Sequence, residues 1–509
     1  MKGPSVLHDI IERAHADPDQ LAAKDLDREL TYGQLIDEVA RLGAGLNARG
    51  VTEGDRVALL IPNSVDFVVA ALASLWIGAV FVPLAVTDPQ SRLETIVADS
   101  APALVVTSFA EVQTAPSSLG DSALVDINEL RDERPAPVIE GDVASRVAYM
   151  IYTSGTTGTP KGVQINNAAF SAAVRSTAVA VGLGQATRTL CVSPFHFDGS
   201  YANLFPTLVS GGTVIIRPRD ALLFPRTFFN AVLKEKVTYS GFTPSYLRLL
   251  LASPQLSTLN DSALEVIALG GEAITATDLR SLWSRVPAVR VFNRYGPTET
   301  TIAVTNVELT PDTIERDTVT IGRPHPGVSF YLLDEHGGVL ETANRVGELY
   351  VGGVQLMSGY WANPELTSTV MRSDVVPGET LYRTGDLVYR DETGNYVYVD
   401  RTDRVVKRSG VRISLVELSA SMNKLDGVVA AACMTFDREG ELGIVAFVNT
   451  DAEFSALDLR RAASKLIPEN MLPDRFEFVA AMPLNKSNQL DEHRLLSEAG
   501  LGPFRRPSA

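Results

Sequence analysis

One stretch of the sequence, residues 152–163, has the composition of a loop that binds an anion. It reads YTSGTTGTPKGV, holds three glycines, four threonines, one serine and Lys161, and follows the apolar run VAYMI. Glycine lets a backbone curve closely around an anion, hydroxyl and amide groups donate hydrogen bonds, and lysine adds positive charge. A Walker P-loop is excluded because Gly162, not a hydroxyl residue, follows the lysine. On composition alone, a phosphate site and a flexible surface loop remain equal alternatives.

Strands that could position this loop recur along residues 55–300. Continuous apolar runs alternate there with helix-like segments, and several runs end in Gly, Pro, Ser or Thr. Continuous apolar strands indicate sheets covered on both faces by helices, and such sheets place ligand loops at strand ends. We therefore predict an α/β fold, and we expect the loop at 152–163 to precede a helix over NNAAFSAAVRSTAVAVG. The predicted strands are RVALLIP, AVFVPL, ALVVTS, VAYMIYTS, TLCVSP, TVIIRP, VTYSGF, EVIALGG and VRVFNRYG.

The pattern changes after residue 320. The segments VSFYLLDEHGGVLE, GELYVGG and LVYRDETGNYVYVDR read as β-hairpins with glycine-containing turns. Near residue 402 a further change, to two helices mixed with the short strands AACMTFD and GIVAFVN, indicates a separate α+β domain. The predicted organisation is a large N-terminal domain, 1–402, with a β-rich subdomain at about 321–402, and a small C-terminal domain, 403–509.

Charge and cysteine content exclude several classes of protein. The 509 residues carry a formal net charge of −16 with a pI near 5.0, which disfavours nucleic acid as a partner because such proteins need a basic surface. The two cysteines, Cys191 and Cys433, are far apart and form no CxxC pair. A disulfide framework and a zinc site are therefore excluded. The N-terminus lacks an apolar signal core, so we expect a cytoplasmic protein.

One segment, FVVAALASLWIGAVFVPLAV at 67–86, is long enough to span a bilayer and carries no charge. Its local signals favour another interpretation. Asn63 is predicted to cap a helix that begins near Asp66, Gly78 to end it, and AVFVPL to form a buried strand. We therefore expect this segment in the core and no membrane association.

The loop at 152–163 resembles the phosphate loop of the adenylate-forming superfamily, which includes acyl-CoA synthetases, luciferases and the adenylation domains of nonribosomal peptide synthesis. Further segments that resemble motifs of that family follow in order over nearly the whole chain, and the ordered set is far more specific than any one motif. These segments are LTYGQL (30–35), IGAVFVPL (77–84), FNRYGPTET (292–300), GELYVGGVQLMSGYW (347–361), YRTGDL (382–387), DRTDRVVKRSGVRI (400–413) and LIPENMLPD (466–474).

The resemblance implies that residues of these motifs bind ATP and Mg²⁺. Glu299 would bind Mg²⁺, since an acid on a hard cation beside a triphosphate provides the charge neutralisation required, and Thr298 would contact the α-phosphate. Without the resemblance, Glu299 reads as a helix-capping acid. The phosphate-binding set would be Thr153, Ser154, Gly155, Thr156, Thr157 and Lys161.

The nucleoside would lie against a second set of motif residues. Tyr295 and the GGEA turn at 270–273 would enclose the adenine, and Asp386 with Arg401 would hold the ribose hydroxyls. Read alone, Asp386 is a turn aspartate. The full set that the resemblance assigns to the nucleotide is Gly271, Glu272, Ala273, Asn293, Tyr295, Asp386 and Arg401.

The segment CVSPFHFDGSYANLF at 191–205 resembles the FDxS segment of amino-acid-activating members. Asp198 would then pair with the substrate ammonium, a charge-assisted contact that offsets the burial of both charges. The alternative is that Asp198 is the N-cap of the following helix. His196 is expected to line the pocket without a catalytic role. By family position, the remaining pocket residues are Gly199, Ala202, Gly241, Ile267, Leu269, Arg294, Ile302 and Ala303.

Arg294 is the charged exception in this pocket set. A guanidinium there requires a counter-charge, and a bidentate contact with a second substrate carboxylate would supply it. We therefore expect an acidic, aspartate-like or β-amino acid substrate, as in the stand-alone enzymes that feed β-amino acid starters to macrolactam polyketide synthases. The alternative is an outward-pointing Arg294 paired with an acid such as Glu272.

The last motif departs from the family pattern. The family form is PLTxNGKxD, whose lysine bridges the substrate carboxylate and ATP, whereas this chain reads PLNKSNQLD with Gln489 at the lysine position. Loss of such an electrostatic donor costs on the order of 10²–10³ in rate. Three explanations remain open: Lys486 reaches the site through a shifted loop, adenylation is slow but sufficient, or the sequence is an altered version of an active enzyme.

The family fold implies a hinge at Asp403, about which the small domain rotates so that the loop at Gly410 approaches a thiol. No carrier-protein segment follows the last motif, so the expected partner is a separate carrier protein whose phosphopantetheine thiol is loaded in trans. The expected function is therefore aminoacyl-adenylate formation followed by thioester formation. An adenylation-impaired binding relative remains an alternative, as does an acyl- or aryl-CoA ligase, which Asp198 disfavours.

Overall fold

The computed structural model of the chain describes residues 5–108, 123–131, 134–139, 141–153, 160–314, 318–402, 405–408, 410–438, 441–451, 454–483 and 490–503. Its α-helices are α1 (Val6–Ala16), α2 (Tyr32–Ala48), α3 (Val65–Trp76), α4 (Gln90–Ser100), α5 (Asn167–Val181), α6 (Tyr201–Val209), α7 (Arg219–Leu222), α8 (Pro225–Lys234), α9 (Pro244–Leu251), α10 (Ala276–Arg285), α11 (Pro364–Val370), α12 (Leu415–Met422), α13 (Ala456–Ala463) and α14 (Glu492–Glu498). Its β-strands are β1 (Leu21–Lys24), β2 (Glu29–Thr31), β3 (Arg56–Leu60), β4 (Val80–Pro83), β5 (Leu104–Thr107), β6 (Ala123–Asp126), β7 (Val147–Thr153), β8 (Lys161–Asn166), β9 (Arg188–Cys191), β10 (Thr213–Ile216), β11 (Tyr239–Phe242), β12 (Val266–Gly270), β13 (Arg290–Tyr295), β14 (Thr305–Leu309), β15 (Thr320–Gly322), β16 (Val328–Leu333), β17 (Gly347–Gly353), β18 (Gly359–Tyr360), β19 (Met371–Arg372), β20 (Leu381–Arg390), β21 (Tyr396–Arg401), β22 (Val405–Arg408), β23 (Val411–Ser414), β24 (Val428–Arg438), β25 (Glu441–Thr450) and β26 (Arg475–Phe478).

Two large sheets form the first part of the fold and confirm the predicted α/β class. One sheet has the strand order β18-β8-β7-β4-β3-β5-β6, and the other has the order β14-β13-β12-β11-β9-β10-β1-β2. Side chains of α1, α5 and α6 share one buried apolar cluster with both sheets, whereas α8, α9 and α10 pack on the opposite face of the second sheet. Each of these sheets is therefore covered by helices, which explains why its strands are continuously apolar.

The glycine-rich stretch is flanked by two strands, which corrects the expectation that it precedes a helix. Strands β7 and β8 pair antiparallel, with Thr153 opposite Lys161. Helix α5 begins only after β8, where the Asn166 side chain accepts a hydrogen bond from the backbone N–H of Ala169. Buried and half-buried residues alternate from Val163 to the end of β8, which is typical of a strand, and the sequence interpretation overlooked this pattern. Both ends of the stretch are thus neighbours in one sheet.

The apolar segment at 67–86 contributes to α3 and β4 in the core, as predicted. Every residue of α3 except Asp66 is buried, and no helix among the described residues is long and apolar enough to cross a membrane. The predicted cap was wrong by one residue, because the hydroxyl of Ser64 accepts the hydrogen bond from Phe67 N–H. Asn63 has a different role, described below.

Smaller sheets follow the two large ones. Strands β16, β17, β20, β21 and β15 form an antiparallel sheet with β19 on its edge, consistent with the predicted hairpins. After residue 402 come the β22–β23 hairpin and the sheet β24-β25-β26. Strands β24 and β25 have 11 and 10 residues, longer than the short strands predicted. This last part of the chain has its own apolar cluster, which includes Ile413, Met422 and Val448.

Candidate active site

A cavity of ≈ 260 Å³ lies where parallel strands of the eight-stranded sheet end. Strands β9, β11, β12 and β13 run parallel to one another, and residues that follow their carboxyl ends line the cavity. This is the edge at which open α/β sheets bind ligands. Lys407, Gly410 and Met471, from the C-terminal part of the chain, also line it.

Asp198 reaches the cavity through a loop that Asn63 holds in place. The Asn63 amide donates from Nδ2 to the carbonyl of Ser193 at 2.9 Å and accepts from the N–H of Phe195 at 2.8 Å. Asp198 then opens a short 3-10 turn before α6, and its side chain caps neither the turn nor the helix. The structure therefore does not support the N-cap alternative for Asp198.

The Asp198 carboxylate is compensated only in part by its neighbours. Its Oδ2 atom has no hydrogen-bond partner among the described residues. Burial, with the nearby charge of Glu299, raises the pKa of Asp198 to about 6, although the Thr298 side chain, the Gly199 N–H and the charge of Lys407 counteract the rise. Asp198 in its ionised form can therefore accept a cation that enters the cavity.

Arg294 lies on β13 and lines the same cavity. Its Nη1 donates to Oδ1 of Asn203 at 2.9 Å, and its guanidinium carbon lies 5.5 Å from the centre of the Tyr239 ring. Its Nε and Nη2 are buried with no partner among the described residues. Burial lowers the pKa of Arg294 to about 9. Asn203 and Tyr239 were missed by the sequence interpretation, because a buried Asn in an apolar helix gives no signal of its own.

Glu272 does not pair with Arg294, which removes the outward-pointing alternative. Its carboxylate accepts from the N–H and Oγ of Ser245, at 2.9 and 2.5 Å, and from the N–H of Gly410 at 3.1 Å. Gly410 has φ +79, and a Cβ there would lie 2.7 Å from the Thr243 methyl group. Glu272 thus joins the GGEA turn to the C-terminal part of the chain, and position 410 requires glycine.

Two of the residues predicted to line the cavity do not line it. Ile267 and Leu269 are buried on the other face of β12, in the apolar cluster with α8 and α10, whereas Ala268 and Gly270 line the cavity. Alternate residues of a strand point to opposite faces, so an assignment shifted by one residue selects the wrong face. The predicted residues that do line the cavity are Thr153, Asp198, Gly199, Ala202, Gly241, Gly271, Arg294, Thr298, Ile302 and Ala303.

Lys161 and Glu299 meet beside the cavity. Lys161 Nζ lies 3.2 Å from Glu299 Oε1 and 2.7 Å from the hydroxyl of Tyr360, which donates to Glu299 at 2.8 Å. Glu299 is fully buried, and Lys161 is partly buried. Thr153 lines the cavity, and its buried Oγ1 has no partner among the described residues. Tyr360 was not predicted as a site residue, although it lies in the motif GYW.

Three of the predicted nucleoside residues, Tyr295, Asp386 and Arg401, form a second network. Asp386 is buried and accepts from the Tyr295 hydroxyl at 2.5 Å and from Nη1 of Arg401 at 2.5 Å. Asn293 donates from Nδ2 to the carbonyl of Thr320 at 2.7 Å. Gly271 lines the cavity, and Ala273 is exposed.

Some predicted residues lie outside the described ranges. They are Ser154, Gly155, Thr156, Thr157, Asp403, Lys486 and Gln489. Within those ranges, no group of three or more His, Cys, Asp or Glu side chains could hold a metal ion alone. Glu299 fits Mg²⁺ only in company with phosphate oxygens, which is how this cation usually binds beside nucleotides.

Comparison with known proteins agrees with this geometry. A family model described as AMP-binding enzyme matches residues 10–361. A linear gramicidin synthase chain of Brevibacillus parabrevis is 32% identical over 501 residues, which are 96% of this chain and 10% of that protein. The chain thus spans about a tenth of the length of that relative.

Solved structures show the same fold. IdnL1 superposes with a TM-score of 0.82 at 26% identity, over 95% of this chain and 100% of that one. Holo-PA1221, an NRPS protein containing adenylation and PCP domains, gives 0.84 at 24% identity, over 97% of this chain and 84% of that one. The chain therefore belongs to the AMP-binding enzymes, the adenylate-forming superfamily that its motifs resemble.

Proposed function

We propose that the protein activates an acidic amino acid as its aminoacyl-adenylate and then loads it onto a carrier-protein thiol. In the first step a substrate carboxylate oxygen bonds to the α-phosphorus of ATP, and the bond to the departing pyrophosphate breaks. In the second step the thiol sulfur bonds to the acyl carbon, AMP leaves, and the thiol proton passes to solvent. The family membership supports adenylate formation, and the contacts below support the finer assignment.

The observation that carries the proposal is a pair of opposite charges in one cavity, each of which keeps buried polar atoms without a partner among the described residues. Asp198 presents a buried oxygen without a partner, and Arg294 has two buried nitrogens without a partner, among the residues that the structure describes. A buried charge that the protein satisfies only in part is costly, so a ligand that supplies both counter-charges is favoured. An amino acid with a second carboxylate would pair its ammonium with Asp198 and that carboxylate with Arg294.

The nucleotide would lie on the Lys161 side of the cavity. In this proposal Lys161 would hold phosphate oxygens and Glu299 would hold Mg²⁺, which would neutralise charge on the triphosphate. The Thr153 hydroxyl, buried without a partner in the described part of the chain, is available to donate to the same phosphates. Thr298 lies in the turn that follows β13 and lines the cavity, between the amino-acid and nucleotide sides.

The carrier protein is proposed from the residues on the C-terminal side of the cavity. Gly410 is hydrogen-bonded to Glu272, and Lys407 lies 6.0 Å from the centre of the Tyr295 ring. The β22–β23 hairpin therefore lies beside the cavity, where a thiol arm would approach the acyl-adenylate. The adenylation and PCP domains named for holo-PA1221 support a carrier protein as the acceptor.

Amino-acid-dependent ATP–pyrophosphate exchange tests the proposal. We would compare acidic amino acids with their amide isosteres, aspartate with asparagine and glutamate with glutamine, and include β-amino acids. Arg294→Ala should remove the preference for the acidic member of each pair. Arg290→Ala is the matched control, since Arg290 lies on the same strand but pairs with Glu308 at 2.7 Å on the surface. A preference for acidic substrates that survives Arg294→Ala would contradict the assignment.

A further inference from the structure

Asn203 is a buried residue of α6 whose side-chain amide has three protein partners. Its Oδ1 accepts from the Tyr239 hydroxyl at 3.0 Å and from Arg294 Nη1 at 2.9 Å, and its Nδ2 donates to the carbonyl of Gly241 at 3.0 Å. Asn203 is only 1% exposed. A buried amide with its donor and acceptor both used is fixed in position and rigid.

The orientation of this amide is determined by its partners. If oxygen and nitrogen were exchanged, an NH₂ group would face the hydroxyl and the guanidinium, and an oxygen would face the Gly241 carbonyl. The guanidinium can only donate, so the observed orientation is the one that satisfies the contacts. Asn203 therefore holds Arg294 by one terminal nitrogen.

One edge of the guanidinium is left for a ligand. Nη1 is engaged with Asn203, whereas Nε and Nη2 are buried without a partner among the described residues. Nε and Nη2 lie side by side on the planar group, and their two N–H bonds match the two oxygens of a carboxylate. A primary amide presents one oxygen and one NH₂ to that edge, so it loses one of the two contacts.

We infer that Asn203 is a positioning residue that determines substrate specificity. Its hydrogen bond to Nη1 holds Arg294 so that the Nε–Nη2 edge receives the second carboxylate of the substrate. The inference rests on the proposed function and adds how the site distinguishes a carboxylate from its amide isostere. Gly241 belongs to the same arrangement, because a Cβ there would lie 2.0 Å from Oδ1 of Asn203. A side chain at 241 would therefore displace the amide that fixes Arg294.

Asn203→Asp provides the direct test. The new carboxylate would neutralise Arg294 from within the protein and compete with the substrate for it. We expect the ratio of kcat/KM for the acidic substrate to kcat/KM for its amide isostere to fall by at least about tenfold. The change should lie in the KM for the amino acid, whereas the KM for ATP and kcat with the amide substrate should stay unchanged.

Tyr239→Phe is the second variant, since Asn203→Asp also removes the donor to the Gly241 carbonyl and could impair folding. Phe keeps the ring beside Arg294 and removes only the hydroxyl that holds Oδ1. We expect the same ratio to fall by roughly two- to tenfold, as for the loss of one buried hydrogen bond. Ser240→Ala is the control, because it removes another buried hydroxyl of β11, which donates to the carbonyl of Leu190 at 2.9 Å.

The outcomes distinguish this inference from the proposed function. If Arg294→Ala abolishes the acidic preference but neither Asn203→Asp nor Tyr239→Phe changes the ratio, the role of Asn203 is overturned and the function stands. If activity with acidic and amide substrates falls equally in both variants, Asn203 is merely structural and the inference is again overturned. If the unmodified protein shows no acidic preference, the proposed substrate class fails, and the inference fails with it.

Discussion

The carboxylate of Asp198 should lower the free energy of unfolding, because it is ionised in a buried position. The same carboxylate should be required for amino-acid activation. Burial raises its pKa from 3.8 to about 6, which corresponds to about 3 kcal/mol of destabilisation at neutral pH. Asp198→Asn removes this cost and should raise the Tm at pH 8. Because the folded protein holds the Asp198 proton more tightly than the unfolded chain, the penalty disappears as the pH falls below about 4. The gain in Tm should therefore be larger at pH 8 than at pH 4.

The same substitution should nearly abolish amino-acid activation. An ammonium left in the cavity without its counter-charge costs about 3–5 kcal/mol, or roughly 10²–10⁴ in kcat/KM for the amino acid. In the unmodified protein, kcat/KM should decline as the pH falls through about 6, because only the ionised carboxylate pairs with ammonium.

Pyrophosphate exchange and thermal unfolding measure these two effects on the same samples. Asp66→Asn is the control, since burial also raises the pKa of Asp66, but Arg28 and Arg131 lie 3.3 and 3.1 Å from it, outside the cavity. It should leave exchange unchanged. If Asp198→Asn kept amino-acid activation, the ammonium role of Asp198 would be refuted, and a lower Tm at pH 8 would refute the stability cost of its burial.

Three further predictions concern the nucleotide side. Lys161→Met leaves Glu299 buried without its ion pair, so the free energy of unfolding should fall by about 3–5 kcal/mol in chemical denaturation, and the KM for ATP should rise. Tyr295→Phe removes the hydroxyl that donates to Asp386, so stability should fall by about 1–3 kcal/mol; an unchanged Tm would contradict that contact. Gln489→Lys should raise exchange by on the order of 10²–10³, and no increase would show that another group already supplies the charge.

The fold class was predictable because its strands are short, continuously apolar and regularly spaced. VTYSGF, EVIALGG and VRVFNRYG each contain a strand of the parallel group, β11, β12 and β13. Strand β8 was missed because its first three residues belong to the glycine-rich stretch at 152–163, which was interpreted as a loop. Its pairing with β7 is a tertiary contact that a single sequence does not display.

A residue of the site could be predicted where it belongs to a recognisable motif. It could not be predicted where only the packing of the fold brings it to the cavity. Asp198, Arg294 and Thr298 line the cavity because each follows or ends a strand at the ligand-binding edge of the sheet. The choice between the two faces of β12 depends on strand register, which a uniformly apolar run such as EVIALGG does not reveal. Asn203 could be found only from its three contacts, since no spacing in the sequence relates it to Arg294.

The most direct test of the proposed function is ATP–pyrophosphate exchange with matched acidic and amide amino acids, before and after Arg294→Ala. We predict exchange that depends on an amino acid with a second carboxylate, and loss of that preference in the variant. Exchange that is strongest with neutral amino acids, or equal for both members of each pair, would contradict the proposed function.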